Sequence, residues 1–293
     1  MDDLKLLVEN LNLSVGKKDS KQRSVSLAQS ESGAHYLAGS VDSDNKLLGI
    51  SSEQAVLGLS TLAQDYKVHR IITLRESDEK VFSLSPIIAK IIIDYSRRTG
   101  KTIEYSVVNT SGNKLFYTPN LSQFYTVYQP TNNLLTRINS DIKASHNWLE
   151  LPTQNLDYPK ILKEYAIKGL ERNFPTSEGT SGYGTAVITK SGRLYYGGQY
   201  SSFDERLGLH SEMNVIISAL MNKDDEITHL GLVSTKYTDS PCFPCGGCRQ
   251  FLGELSTKFN WDLKILCFAK ETDNLIQRTI SDLLPDLWTS KKW

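Results

Sequence analysis

The feature that most constrains this chain is an internal repeat. Ser51-Ser52-Glu53 corresponds to His210-Ser211-Glu212 at an offset of 159 residues (210 − 51). Three further pairs of segments keep this offset to within one residue: 36–40 with 195–199, 86–90 with 244–248, and 103–108 with 263–268. Four independent segments in one register predict that the chain consists of two homologous halves.

The length of the chain agrees with this duplication. Its 293 residues exceed the roughly 100–200 residues of an ordinary domain. We predict a first domain over residues 1–125, a linker over 126–157 and a second domain over 158–293. The linker begins with a polar stretch, and Pro152 and Pro159 lie near its end.

The pattern of apolar residues predicts the elements of the second half. Helices are predicted at 159–171, 210–221 and 246–259, and strands at 184–189, 193–197, 229–235 and 263–268. The first half has the same order, with central helices at 52–63 and 87–96. Helices that alternate with apolar strands predict a layered α/β fold, because the helices must cover a sheet.

Charge and apolar runs exclude several classes of partner. Lys and Arg total 33 and balance 33 Asp and Glu, so no net positive field favours nucleic acid. No apolar run reaches the roughly 20 residues that span a bilayer, and the start of the chain is unlike a signal peptide. We therefore expect a cytoplasmic protein without membrane or nucleic-acid partners.

Three of the four cysteines lie within seven residues, at Cys242, Cys245 and Cys248. Cys245 and Cys248 flank the start of a predicted helix, whose N-terminus favours thiolates. Together with His210 they offer two sulfurs and one nitrogen, which leaves one position of a tetrahedral zinc ion open, as in catalytic sites. Cys242 could instead supply a fourth ligand and close a structural site, and this alternative stays open.

The motifs around these residues resemble those of the cytidine deaminase family. His-x-Glu at His210–Glu212, the run Pro-Cys-Gly-Gly-Cys-Arg-Gln at 244–250 and the Leu-Leu-Pro tail at 283–285 carry the resemblance. It implies a three-layer fold with a mixed sheet flanked by helices, duplicated within the chain. It also implies one Zn²⁺ per chain, held by His210, Cys245 and Cys248, and a homodimer in which the N-terminal half completes the assembly.

The activity that this resemblance implies is hydrolytic deamination in pyrimidine salvage. Cytidine or deoxycytidine would become uridine or deoxyuridine plus ammonia, with Glu212 as the general acid and base. Arg249 is expected to donate hydrogen bonds to a zinc-bound sulfur. The expected substrate-binding residues are Tyr183, Gln199, Ser201, Ser211 and Trp288.

Two of these substrate positions depart from the family pattern. The family usually carries Asn-x-Glu eleven residues before the first metal ligand, where this chain has Gln199 and Ser201. Ser201 is too short to replace a carboxylate directly, although Asp204 or Glu205 could substitute. A modified aminopyrimidine nucleoside is therefore an alternative substrate. A polynucleotide deaminase and a non-enzymatic protein with structural zinc are further alternatives.

The first half lacks the metal ligands. Glu53 corresponds to Glu212, but the ligand positions align with Ser51, Ile87 and Lys90. An aliphatic side chain cannot bind zinc and an ammonium group repels it. We predict that no metal binds there.

Overall fold

The computed structural model describes residues 3–16, 23–45, 48–76, 84–123, 145–152, 156–176, 179–202 and 204–289. The chain forms two compact units. Unit 1 comprises Met1–Asp42, Gly49–Ser145 and Ser202–Leu207, and unit 2 comprises Ser43–Leu48, His146–Ser201 and Gly208–Trp293. Each unit therefore contains one short segment from the other half of the sequence.

Unit 1 contains one mixed five-stranded sheet. Its elements are α1 (Asp3–Glu9), β1 (Ser24–Ser30), β2 (His35–Gly39), α2 (Ser52–Leu62), β3 (Val68–Arg75), α3 (Pro86–Thr99), β4 (Glu104–Asn109) and β5 (Lys114–Thr118). The strand order is β2-β1-β3-β4-β5. Only β3 and β4 pair in parallel among the described strands of this sheet.

Unit 2 contains a mixed six-stranded sheet. Its elements are β6 (Trp148–Glu150), α4 (Tyr158–Gly169), β7 (Tyr183–Thr189), β8 (Arg193–Gly198), α5 (Ser211–Met221), β9 (Ile227–Ser234), α6 (Gly246–Phe259), β10 (Lys264–Phe268), β11 (Leu275–Arg278) and α7 (Ile280–Leu283). The strand order is β11-β10-β9-β7-β8-β6, and β9 pairs with β10 in parallel. Across the described residues, no helix is long and apolar enough to cross a membrane.

The two sheets confirm the duplication. Once β6 is set aside, strands β7 to β11 repeat the order and the pairing directions of β1 to β5. The hairpin glycines Gly33 and Gly192 both have positive φ, at an offset of 159 (192 − 33). The same offset relates Gln64 to Lys223 (223 − 64), two non-glycine residues with positive φ.

Helices cover both faces of the sheet in unit 2, as expected for three layers. Ala186 and Ile188 of β7 lie in one apolar cluster with Leu162 of α4. Thr185, which points to the opposite face because side chains alternate along a strand, hydrogen-bonds Ser211 of α5 at 2.8 Å. The α/β fold with a mixed sheet flanked by helices is therefore confirmed.

The structure corrects the alignment of α3 with α6. The residue that precedes α3 is Ser85 and the residue that precedes α6 is Cys245, an offset of 160 (245 − 85) rather than 158. The aligned prolines occupy different places: Pro86 is the first residue of α3, where proline is favoured, whereas Pro244 lies before the N-cap of α6. The positions that match Cys245 and Cys248 are Ser85 and Ile88, not Ile87 and Lys90.

Most of the predicted linker, residues 126–144 and 153–155, lies outside the described residues. Its described part includes β6, whose Leu149 pairs with Leu194 of β8. This part of the predicted linker is therefore an edge strand of the second sheet.

Candidate metal centre and active site

Two helix N-termini of unit 2 bring the three predicted metal ligands together. His210 is the N-cap of α5 and Cys245 is the N-cap of α6, and neither side chain caps its own helix. Cys248 lies in the first turn of α6. The Nδ1 atom of His210 is 3.4 Å from Cys245 Sγ and 3.4 Å from Cys248 Sγ.

These distances fit a tetrahedral zinc ion. Zn–S bonds of about 2.3 Å and Zn–N bonds of about 2.0 Å place the nitrogen and each sulfur about 3.5 Å apart at tetrahedral angles. The observed 3.4 Å agrees, and all three donor atoms lie within 4.8 Å of one another. The chemistry of this donor set, two sulfurs and one imidazole, is that of a zinc site.

Cys242 does not join this cluster in the described part of the chain. Its side chain is 2% exposed, and burial raises the pKa of its thiol to about 12. The sequence left two registers for the cysteine ligands, and the geometry favours Cys245 with Cys248.

Hydrogen bonding prepares Cys245 as a metal ligand. The hydrogen bond from the Cys248 thiol, aided by His210, lowers the pKa of Cys245 to about 3. The thiolate is the form that binds metal, so the lowered pKa of Cys245 favours binding, whereas the same hydrogen bond raises the pKa of Cys248.

Glu212 lies beside the cluster in a buried chain of hydroxyl groups. The Ser211 hydroxyl donates to Glu212 Oε2 at 3.2 Å and hydrogen-bonds Thr185 Oγ1 at 2.8 Å. Burial raises the pKa of Glu212, which is 3% exposed. Ser211, predicted to bind substrate, has a fully buried side chain whose hydroxyl contacts Glu212.

The corresponding carboxylate of unit 1, Glu53, is held in a different way. It accepts hydrogen bonds from Tyr105 OH at 2.8 Å and Thr73 Oγ1 at 3.1 Å, and it pairs with Arg75 at 3.7 Å. Burial raises the pKa of Tyr105 well above its usual value, so this hydroxyl stays a donor.

At the positions in unit 2 that correspond to Thr73, Arg75 and Tyr105, the sequence has other residue types. By the register of the strands they are Leu232 (73 + 159), Ser234 (75 + 159) and Ile265 (105 + 160). In unit 1, three polar side chains contact Glu53. In unit 2, the corresponding Glu212 lies beside the cluster of His210, Cys245 and Cys248.

Comparisons with known proteins agree with these motifs. No family model matches the chain. A stretch of 76 residues is 36% identical to the cytidine deaminase of Vibrio parahaemolyticus serotype O3:K6 and covers 25% of this chain and 23% of that protein. The resemblance to the cytidine deaminase family is confirmed. The match spans about a quarter of that curated relative.

Solved structures of cytidine deaminases are also similar to part of this chain. The enzyme from Burkholderia pseudomallei is 25% identical, with a TM-score of 0.39, over 44% of this chain and 98% of its own. The enzyme from Mycobacterium leprae is 21% identical, with a TM-score of 0.36, over 45% of this chain and 100% of its own.

The residues expected to bind substrate in this family are placed as follows. Gln199 and Ser201 lie directly after β8, and Gln199 Nε2 donates to Ser201 Oγ at 2.6 Å. Tyr183 is the first residue of β7 and is partly buried. Trp288 is 53% exposed, and its main chain exchanges hydrogen bonds with the Gln250 side chain.

Two further residues named in the sequence analysis make the following contacts in the structure, and their predicted roles stay predictions. Arg249 was expected to donate to a zinc-bound sulfur, but its Nε donates to Pro244 O at 2.8 Å and its guanidinium to Leu283 O at 3.1 Å. It thus fixes the loop that carries Cys245. Asp204 was a possible sugar ligand, but it belongs to unit 1, where Lys90 pairs with it at 2.8 Å.

The sequence reasoning missed Asn173 and Asn214. Asn214 is completely buried on α5, two residues after Glu212, and Asn173 follows the short 3-10 helix Leu170–Arg172. A signal was available, since an asparagine within the apolar stripe of a helix is costly to bury without a partner. The corresponding residue of the first half is Ala55 (214 − 159).

Proposed function

We propose that this protein is a zinc-dependent hydrolase that deaminates cytidine or deoxycytidine to uridine or deoxyuridine, with release of ammonia. The observation that carries the proposal is the cluster of His210, Cys245 and Cys248, with both sulfurs 3.4 Å from the imidazole nitrogen and Glu212 next to it. The matched relative, named as a cytidine deaminase, supports the choice of substrate class.

The residues of the chain divide the work between binding and proton transfer. His210, Cys245 and Cys248 would hold the zinc ion, which supplies a Lewis acid to the hydrolysis when bound. Glu212 would take one proton from the attacking water and pass it to N3 of the pyrimidine. It would then take the second proton from the hydroxyl group formed on C4 and give it to the departing amine. The sum is balanced, since one water enters and one ammonia leaves.

Glu212 is suited to this task by its surroundings. The chain from Thr185 through Ser211 holds one carboxylate oxygen, Oε2, and the Cys248 thiol also hydrogen-bonds the carboxylate, on the side of the predicted metal ligands. Removal of this carboxylate from bulk water also limits competing proton exchange.

A second candidate substrate is a modified aminopyrimidine nucleoside. Gln199 and Ser201 offer neutral groups that already hydrogen-bond each other at 2.6 Å, in place of an amide and a carboxylate. A neutral pair grips two sugar hydroxyls less strongly than a carboxylate does. Nucleosides with altered sugars or bases are therefore the substrates to compare with cytidine.

The proposal extends to assembly and surroundings. We infer a homodimer in which the metal-free half completes the assembly. We expect a reducing compartment such as the cytoplasm, because the ligand thiols must stay reduced to bind zinc.

The decisive experiment replaces Glu212 and measures zinc and ammonia together. Glu212→Gln should lower kcat by a factor of about 10²–10⁴, the usual worth of a general acid and base. It should keep about one zinc per chain, since all three ligands are intact. Glu53→Gln is the matched control, because it makes the same change in unit 1 and should leave kcat unchanged.

The panel of substrates should contain cytidine, deoxycytidine, cytosine and a sugar-modified cytidine. Absence of ammonia from every one of these would refute the proposed function. Two zinc ions per chain would contradict a single metal centre, and wild-type activity of Glu212→Gln would remove the assigned role of the carboxylate.

A further inference from the structure

One peptide group of unit 2 forms hydrogen bonds with asparagine side chains on both sides, through its carbonyl oxygen and through its N–H. Asn214 Nδ2 donates to the carbonyl oxygen of Gly198 at 3.1 Å. On the other side of the same peptide, the N–H of Gln199 donates to Asn173 Oδ1 at 3.0 Å. The Gly198–Gln199 peptide therefore cannot rotate without breaking a hydrogen bond.

Both asparagines are themselves fixed in place. Asn173 Nδ2 donates to Leu170 O at 2.7 Å, which secures its side chain to the end of a short 3-10 helix. Asn214 is 0% exposed on α5, the helix that carries Glu212. The hydrogen bond from Asn214 thus joins the end of β8 to α5, the helix that carries Glu212.

The backbone approaches closely at this point. A Cβ atom at Gly198 would lie only 2.6 Å from the main-chain nitrogen of Asn173, so only glycine fits. This contact brings Asn173 within reach of the peptide that follows.

Unit 1 has a different arrangement at the corresponding positions, where the Ser14 hydroxyl bonds the Ser40 hydroxyl at 2.7 Å and the Ser40 N–H bonds the main chain. Asn214 corresponds to Ala55 (214 − 159) and Asn173 to Ser14 (173 − 159). The N–H of Ser40, which matches Gln199, donates to the main-chain oxygen of Ser24 at 2.9 Å and so extends the strand pairing. The two asparagine hydrogen bonds therefore occur in the half that contains His210, Cys245 and Cys248.

Burial of Asn214 carries a cost that a purely structural residue would avoid. Among the described residues, Asn214 Oδ1 has no hydrogen-bond partner. A buried acceptor left without a partner costs about 1–3 kcal/mol, and alanine at this position in unit 1 shows that the fold accepts a smaller apolar residue.

We propose that Asn173 and Asn214 are positioning residues that orient the Gly198–Gln199 peptide, so that the Gln199–Ser201 pair meets the sugar of the nucleoside. This inference rests on the proposed function. Neither asparagine touches the substrate. They act by fixing the backbone from which Gln199 and Ser201 project, and such preorganisation improves binding.

The test uses substitutions that copy unit 1, Asn214→Ala and Asn173→Ser, in the full-length zinc-loaded protein. Each should raise KM for cytidine about five- to tenfold, since one positioning hydrogen bond is lost. The value of kcat should stay within about twofold, because the metal ligands and Glu212 are unchanged. Asn173→Asp keeps the acceptor for the Gln199 N–H and should retain a KM closer to that of the wild type.

Hydrogen exchange supplies a readout without substrate. Mass spectrometry of the fragment 195–202 should show faster exchange at the Gln199 N–H in Asn173→Ser, by about tenfold or more, because its acceptor is gone. Ser218→Ala is the matched control. Ser218 is a buried polar residue of the same helix, bonded to Asn147 at 2.9 Å, and its loss should affect stability but neither KM nor this exchange rate.

The outcomes separate the two proposals. Active wild type with unchanged KM in both asparagine variants would overturn the positioning role, as would unchanged exchange at Gln199. Wild-type protein that releases no ammonia would refute the proposed function, and this inference with it.

Discussion

The ion pair between Arg75 and Glu53 allows a prediction about stability. We expect the burial of an ion pair to decide its contribution to the free energy of unfolding more than the distance between the two charged groups does. Strand β3 carries two arginines in ion pairs. Arg75 lies 3.7 Å from Glu53, whose side chain is 0% exposed. Arg70 lies closer to its partners, 3.1 Å from Asp3 and 3.0 Å from Glu104, but these carboxylates are 30% and 36% exposed.

We predict that Arg75→Met destabilises unit 1 by about 2 kcal/mol. Removal of one partner from a fully buried pair costs about 3–5 kcal/mol, whereas an exposed pair contributes about 0–1 kcal/mol. Arg75 is 30% exposed, so solvent screens part of the charge that Glu53 would leave uncompensated, and Tyr105 and Thr73 still donate to it. An intermediate value follows.

Arg70→Met is the matched control, since it makes the same replacement on the same strand. Its cost should stay below about 1 kcal/mol, because both carboxylates that pair with it are partly exposed to solvent, unlike the buried Glu53. Urea unfolding followed by circular dichroism gives both values, and the difference should shrink only slightly in 0.5 M salt because the Glu53 pair is shielded from ions.

The refuting result is a reversal of this order. A larger loss of stability in Arg70→Met than in Arg75→Met would show that distance, not burial, decides the strength of these pairs. The view that the buried contacts of Glu53 contribute more to stability than the shorter, partly exposed pairs of Arg70 would then fail.

The remaining predictions concern the cysteines, one glycine and the assembly. In protein stripped of metal, iodoacetamide should label exposed Cys245 first and buried Cys242 far more slowly, as peptide mass spectrometry can show. Added zinc should protect Cys245 from labelling. Protection of Cys242 and not of Cys245 would instead indicate that Cys242 is a ligand. Gly198→Ala should cost about 2 kcal/mol or more by thermal unfolding, because its Cβ would lie 2.6 Å from Asn173 N, and an unchanged melting temperature would contradict the described backbone approach. Light scattering should give twice the chain mass of 32.9 kDa, and a monomeric mass would contradict the proposed homodimer.

The repeat and the central elements could be predicted because they leave strong local patterns. The predicted helices at 210–221 and 246–259 agree with α5 and α6, and the apolar run at 263–268 contains β10. Each of these elements buries an apolar stripe or run, so its period is visible in the sequence. The proximity of His210 to Cys245 and Cys248 could also be anticipated, since each lies in a short motif at a predicted helix start; their role as metal ligands stays a prediction.

Edge strands and long-range contacts could not be predicted in this way. Strands β6 and β11 are short and contain no fully buried residue, so no alternation of apolar residues marks them. The hydrogen bonds to the Gly198–Gln199 peptide join residues that are far apart in the sequence. Gln199 and Asn173 are 26 positions apart and Gly198 and Asn214 are 16 apart, so no local pattern could predict these contacts. The error at α3 had a different origin, because a proline can stand inside a helix start or before it.

The short segment Ser43–Leu48 decides how this chain can be divided. It belongs to unit 2, where the Asp44 N–H donates to Glu254 at 3.0 Å, and a Cβ at Gly247 would lie 3.5 Å from a Leu48 methyl and 3.9 Å from Cys245 Sγ. A protein fragment that contained only the second half of the sequence would lose this segment, which lies near Cys245 Sγ. The first half of the sequence thus supplies six residues to the folded body of unit 2, and we expect unit 2 to fold fully only when they are present.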